Sequence, residues 1–290
     1  MLTYQNTAIN ADGTFDCSAE MPGVASPIAL WAPGDGVFTF PPEAALRLGA
    51  NKGANSTGQR FAVLQMHYNN PAGVAGVRDS SGFKLRTRPY SAQVQDAGWA
   101  ILGASVSALS LPAGRPAIGV RTICLTGSIF TTTQLPAPSS LFAGAGAQYT
   151  VIANALHMHT LGSRIWHQFH SAATNFSRLI VNGTDPLGNI AQWNFNEQTI
   201  APTSVKWSLG DAFVFTAIYN TTRANGLAKG NPNAAAGLTV PGCETTSCEM
   251  GLAFLLYYPR APNWQGCTLT PSFVCDDSLL SSSTTCASLS

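Results

Sequence analysis

The sequence predicts an all-β protein of antiparallel sandwich or barrel type. Three observations lead there. Glycine (27) and proline (18) cut the chain into short segments. Those segments are rich in β-branched and aromatic residues and end in Gly, Pro or Asn turn signals. Only residues 41–49 carry a brief helix or turn signature, with proline at the start and glycine at the end.

Taken in order, residues 61–68 (Phe-Ala-Val-Leu-Gln-Met-His-Tyr) read as a strand ending at the Asn69-Asn70-Pro71 turn. Residues 84–88 alternate polar and apolar. The apolar stretch 97–111 is interrupted by Gly98 and Gly103 and reads as strand material. Residues 149–159 form a strand, and a Leu161-Gly162 turn leads into another at 164–170. Strands follow at 212–219 and 250–258. From Thr268 onward the chain is Ser/Thr-rich and reads as a linker or stalk. No internal repeat is evident.

Composition excludes several classes. Charged residues make up only 10% and the net charge is +1, so no basic surface is available for nucleic acid. No run of 18 or more apolar residues suggests a membrane span. The first residues, Met1-Leu2-Thr3-Tyr4-Gln5-Asn6, have neither the basic nor the apolar region of a signal peptide. Yet seven cysteines, low charge and sequons at Asn55, Asn175, Asn182 and Asn220 point to secretion or a secretory lumen, hence to a disulfide-bonded glycoprotein. The two readings are reconciled if the chain begins partway through a longer protein.

The chemistry centres on His157-Met158-His159, which holds two of five histidines. In a strand, residues i and i+2 share a face, with Cα atoms about 6.6 Å apart, a spacing that suits two imidazoles on one metal ion. Met158 points the other way. Taken alone, the pattern also suits two strand histidines on a polar surface. His167 and His170, at i and i+3, fall on opposite faces and read as structural or solvent-exposed. Asp211 reads as a turn residue entering a strand. Paired catalytic carboxylates, a nucleophile elbow, a phosphate-cradling loop and a dinucleotide fingerprint are absent.

Several motifs together carry a resemblance. Leu64-Gln65-Met66-His67-Tyr68-Asn69-Asn70-Pro71 with Arg78-Asp79-Ser80-Ser81-Gly82, His157-Met158-His159-Thr160-Leu161-Gly162 with Arg164, Leu209-Gly210-Asp211 with Tyr219-Asn220-Thr221, and Cys248-Glu249-Met250 before Tyr257-Tyr258-Pro259 resemble the copper type II, ascorbate-dependent monooxygenases. Residues 31–49 resemble a further segment of that family, and the likeness covers roughly residues 15–267.

The resemblance implies two jelly-roll-like antiparallel β-sandwich domains, each carrying one copper. Here residues 1–93 would be the C-terminal part of the first, electron-transfer domain, which is thus incomplete. Residues 94–267 would be the second, catalytic domain, and 268–290 a tail. The catalytic copper would be held by His157, His159 and Met250. A soft thioether beside imidazoles favours Cu(I), although Met250 on its own reads equally as core filler at the start of an apolar strand. Of the three histidines at the family's first copper, only His67 has a counterpart, and no His-His pair occurs. Gln65, on the face of His67 by strand parity, would help relay electrons.

The resemblance also implies a long Cys124–Cys267 bridge. A local Cys243–Cys248 bridge would brace the approach to Met250. The family's usual pair around Tyr-Asn-Thr and the methionine is replaced by Ala217 and Gly251. Cys275 and Cys286 would pair in the tail, and Cys17 is left over. The peptide-amidating branch places an arginine, an asparagine and a tyrosine where this chain has Ala155, Leu252 and Phe254, so the pattern lies nearer the dopamine β-hydroxylase-like branch. Leu252 and Phe254 would line an apolar pocket for an uncharged or aromatic molecule.

The implied activity is copper-dependent hydroxylation of a C–H bond in a small organic substrate, with O2 and L-ascorbate as co-reactants. Two alternatives stand beside it: a non-catalytic copper-binding fragment, and a secreted β-sandwich interaction module.

Overall fold

The computed structural model describes residues 2–5, 27–48, 61–68, 70, 73–125, 148–174, 176–182, 192–208, 210–260, 265–269 and 272–274. In the N-terminal part lie β1 (Leu2–Gln5), β2 (Pro27–Ala29), β3 (Ala44–Ala45), β4 (Phe61–Leu64) and β5 (Gln95–Asp96). β2, β1 and β4 form an antiparallel sheet in that order, and β3 pairs in parallel with β5.

There follow β6 (Gly98–Ala104), a 3-10 turn (Val106–Ala108), β7 (Ser110–Leu111), β8 (Ile118–Leu125), β9 (Gln148–Met158), β10 (Gly162–Ser171), β11 (Phe176–Asn182), β12 (Ile200–Ser208) and β13 (Ala212–Tyr219). Two short helices, α1 (Arg223–Lys229) and α2 (Pro232–Ala236), precede β14 (Val240–Pro241), β15 (Gly251–Tyr258), β16 (Gln265–Leu269) and β17 (Ser272–Val274). Two five-stranded sheets result, ordered β12-β9-β15-β6-β16 and β11-β10-β13-β8-β17. All neighbours are antiparallel except β16, which runs parallel to β6. The protein is an all-β sandwich.

Period-two alternation sets the packing. On β15, Ala253, Leu255 and Tyr257 face the interior between the sheets, beside Phe213, Phe215 and Tyr219 of β13. Trp207 anchors that core, with ring centroids 5.1 Å from Tyr149, 5.3 Å from Phe213 and 5.7 Å from Tyr257. Cys124 on β8 and Cys267 on β16 bridge the two sheets, with Cα atoms 6.0 Å apart. The opposite face of β15 and β9 is also apolar toward one end. There Ala153, Leu256, Phe254 and Tyr258 pack with Leu30, Phe38, Phe40, Ala44 and Leu46, so N-terminal residues cover the outside of the first sheet.

Several expected elements differ. Of the segment expected at 41–49, residues 41–48 hold a single turn, closed by the Ala44 N–H to the Pro41 carbonyl (3.1 Å), before pairing with residues 95–97 takes over the backbone. The helices lie instead at 223–236. Their caps were present in the sequence: Thr222 and Asn231 accept the Asn225 and Ala234 N–H groups, Pro232 opens α2, and Gly230 and Gly237 close each helix in the left-handed conformation. The strand expected at 61–68 stops at Leu64, whose partner Leu2 is the last pair of the ladder. Residues 84–88 form no strand and are exposed; Arg88 donates to the Pro42 carbonyl (2.8 Å). Strand pairing at the C-terminal side continues past Cys267 to Val274.

Candidate metal centre

His157 and His159 stand where β9 ends and the hairpin to β10 begins. Leu156 and Met158 occupy the core, so His157 projects from the outer face of the sheet. β15 runs antiparallel beside β9 with Leu252 opposite His157 and Gly251 opposite Met158. Met250 is the residue just before that last pair on β15, and His159 the residue just after it on β9. Met250 also shares strand parity with Leu252 and Phe254, on the histidine side. Two segments far apart in sequence are thus brought edge to edge by sheet pairing.

The ring orientations carry the chemistry. The imidazoles lie 5.2 Å apart, centroid to centroid, at 82°. His159 Nδ1 meets the Cys248 carbonyl at 3.0 Å, and a carbonyl only accepts, so Nδ1 carries the proton. His157 Nδ1 meets Gln198 Oε1 at 2.8 Å while Gln198 Nε2 donates to the Phe195 carbonyl at 2.9 Å; the amide is thereby oriented with its acceptor toward the ring. Both imidazoles are held as Nδ1–H tautomers, which reserves the Nε2 lone pairs for a metal. Burial lowers the pKa of each ring, that of His159 to about 4, with the neighbouring histidine contributing, so the neutral, ligating form prevails at neutral pH.

A shell of other groups fixes this arrangement. Glu249 Oε2 accepts the His159 N–H (3.0 Å) and Oε1 accepts the Leu161 N–H (2.7 Å). Burial pushes this carboxyl up to about 8 against the lowering effect of those amides. The Tyr219 hydroxyl donates to the Met250 carbonyl at 2.7 Å, and Trp193 Nε1 donates to the His159 carbonyl at 3.2 Å. Cys248 is bonded to Cys243, with Cα atoms 5.3 Å apart. Gly251 is required because a Cβ there would run into the Tyr219 hydroxyl. Gln198 is itself set by the N-terminal segment: its N–H donates to the Pro33 carbonyl, and the Ile200 N–H donates to Asp35 Oδ1, both at 2.7 Å.

Other candidate residues fall elsewhere. His67 is exposed, and its charge reaches both ligand-candidate rings and disfavours their protonation. Gln65 is buried, and both residues lie beyond β4, so the shared strand face expected for them does not form. Among the described residues no group of three His, Cys, Asp or Glu side chains is placed to hold a metal ion, so His67 does not join His157 and His159 in one site. His167 is fully buried with Nδ1 3.3 Å from Asn154 Oδ1, a core role. Asp211 closes a turn, accepting the Ala172 (2.9 Å) and Ser208 (2.7 Å) N–H groups. Asn220 is half-buried, its Oδ1 accepting from the Thr222 N–H and hydroxyl at 3.1 and 2.7 Å. Asn55, Asn175, the Asn182 side chain, Cys17, Cys275 and Cys286 lie outside the described residues.

The donor set fits copper: two neutral imidazoles on one face, with a thioether on the neighbouring strand. Gln198 and Glu249 were missed in the sequence. Gln198 carries no motif. Glu249 stands within Cys248-Glu249-Met250, and its adjacency to a ligand candidate was the available signal.

The family model described as copper type II ascorbate-dependent monooxygenase, N-terminal domain, matches residues 4–75. The chain is 29% identical over 254 residues to DBH-like monooxygenase protein 1 of Mus musculus, covering 85% of this chain and 35% of the relative. It is 28% identical over 235 residues to tyramine beta-hydroxylase of Caenorhabditis briggsae (81% and 34%). It is 30% identical over 197 residues to dopamine beta-hydroxylase of Equus caballus (67% and 28%). The chain thus spans about a third of the length of the first two relatives. Among the described residues no helix is long and apolar enough to cross a membrane.

Proposed function

For a chain that belongs to the copper type II, ascorbate-dependent monooxygenase family, we propose a copper-dependent C–H hydroxylase whose metal is held by His157, His159 and Met250. The observation that carries this is the pair of Nδ1–H bonds, to Gln198 Oε1 and the Cys248 carbonyl, which leaves both Nε2 atoms for one metal. Bound copper supplies the redox activation of O2 that side chains lack, with ascorbate as reductant. The chain's own residues orient the ligands and shape the floor beside them.

That floor favours an uncharged or aromatic substrate. Across from His157 lies Leu252, and across from Ala155 lies Phe254; Ile101 pairs with Phe254 on the far side. All are apolar, so a charged substrate group would be desolvated there without a partner. The two disulfides suit an oxidising compartment, in keeping with secretion or a secretory lumen. The proposed division is an N-terminal electron-transfer part over 1–93 and the catalytic sandwich over 94–267. His67 and Gln65 are assigned to the electron-entry side.

A second reading, copper binding without turnover, is favoured by one fact. His67 is the only histidine of this chain outside the second sandwich. Copper stoichiometry of the 290-residue chain beside His157→Ala and Met250→Ala tests the site. About one tightly held copper, lost in His157→Ala and weakened in Met250→Ala, is expected. Copper indifferent to both substitutions sinks the metal assignment. Ascorbate-driven O2 uptake coupled to product then separates enzyme from copper-binding fragment.

A further inference from the structure

We propose that Glu249 is a positioning residue of the copper site, its carboxylate fixing the hairpin that aims His159 and joining it to the backbone that presents Met250. The inference rests on the copper reading above. The His159 and Leu161 N–H groups sit where β9 turns into β10, and both end on this one carboxylate, at 3.0 and 2.7 Å.

The segment that delivers the carboxylate is itself held. The Glu249 N–H donates to the Pro241 carbonyl (3.0 Å), and its carbonyl accepts the Cys243 N–H (3.3 Å). Its neighbours act on the same site from the same backbone. The Cys248 carbonyl sets the His159 ring, and the Met250 carbonyl is gripped by Tyr219. Residues 248–250 thus supply a ring-orienting carbonyl, a backbone clamp and the thioether in succession.

Only a glutamate meets this requirement. Both oxygens accept, so a glutamine would turn its NH2 toward one of the two amides, donor against donor. An aspartate is one methylene short. The carboxyl group is fully buried, with its two oxygens aimed at the two hairpin amides.

A purely structural role for Glu249 is the competing account, and the fold contains a control. Asp211 is a buried carboxylate that accepts two backbone N–H groups in the same manner in the turn before β13, outside the ligand segments. The test compares Glu249→Gln with Asp211→Asn in the full chain. Cu(I) affinity is measured by competition with a chromophoric chelator, Cu(II) geometry by EPR, and metal-free stability by thermal melting. Glu249→Gln is expected to weaken copper binding 10- to 100-fold and to alter the EPR spectrum. Asp211→Asn is expected to lower the melting temperature while copper affinity stays within twofold of wild type. Wild-type-like affinity and spectrum in Glu249→Gln overturn the proposal, as does equal weakening in both variants. If Glu249→Gln does not fold, Glu249→Asp carries the test: it keeps both carboxyl oxygens on an arm one methylene shorter, and at least tenfold weaker copper binding is expected. Failure of both to fold assigns Glu249 to the fold alone and also overturns the proposal. Absence of copper from the wild-type chain refutes the copper reading instead, whatever Glu249 does.

Discussion

Gln198→Leu offers the sharpest test of how this site is built. The replacement is similar in volume, and the position is buried, so packing changes little. What changes is two hydrogen bonds: His157 Nδ1 to Oε1 at 2.8 Å and Nε2 to the Phe195 carbonyl at 2.9 Å. In the metal-free protein the imidazole partly escapes by moving its proton to Nε2. The loss then falls mainly on the Phe195 carbonyl, about 1–3 kcal/mol for an unpaired buried group. Melting temperature should drop roughly 2–4 °C per kcal/mol. With copper bound that escape is closed, because Nε2 is committed to the metal and Nδ1 must keep its proton without a partner. Copper affinity should therefore fall 10- to 100-fold, about 1.4–2.7 kcal/mol. Gln198→Glu keeps an acceptor in place and should retain affinity within about tenfold, the lower edge of that outer-shell range. Chelator competition on the three proteins, with thermal melts of each, provides the assay. A Gln198→Leu protein that melts lower but binds copper like wild type would refute the tautomer argument.

Other consequences follow from the same geometry. Burial holds the His167 pKa down to about 3, against 6.5 when free. The unfolded chain therefore binds the extra proton first as pH falls, and stability declines from about pH 6.5 toward 3. At pH 5 His167 alone should remove about 2 kcal/mol relative to neutral pH. Urea midpoints at pH 7 and 5 should show this loss in wild type and a smaller one in His167→Gln. Gly251→Ala drives a methyl group into the Tyr219 hydroxyl and should destabilise by about 1–3 kcal/mol; Tyr219→Phe should recover part of it in a double-mutant cycle. Removing Cys243–Cys248 as a serine pair should lower stability by about 2 kcal/mol by loop entropy, yet weaken copper binding, because Cys248 sets the His159 ring. Removing Cys124–Cys267 should lower stability by about 5 kcal/mol and leave the copper affinity of the folded fraction unchanged. The reverse ranking in copper affinity would separate the short bridge from the site.

Strand identity in the second sandwich was legible because its signal is local. Alternation and turn residues marked β9, β10, β13 and β15 within a residue or two at their ends. His157 and His159 were legible for the same reason, since spacing i, i+2 on a strand fixes a shared face before any partner is known. Residues 84–88 misled because alternation describes a strand's faces but not whether a partner strand exists. Residues 41–49 misled because backbone pairing with 95–97 outweighed a helix start of one turn. The cap residues of α1 and α2 were visible, but so short a pair of helices shows no apolar period.

The chain by itself determined the all-β class, the two-histidine face, the cysteines available for bridging and the poverty of charge. Each depends on residue type and short-range spacing. Only the tertiary structure decided what surrounds the histidines. β15 had to pair with β9 before Gly251 could lie across from Met158 and Glu249 could reach the hairpin amides. Pro33 and Asp35 had to dock on residues 198–200 before Gln198 could orient His157. Hydrogen bonds fall off within a few tenths of an ångström, so contacts between segments 88 to 165 residues apart take form only when sheet register and packing bring their atoms together.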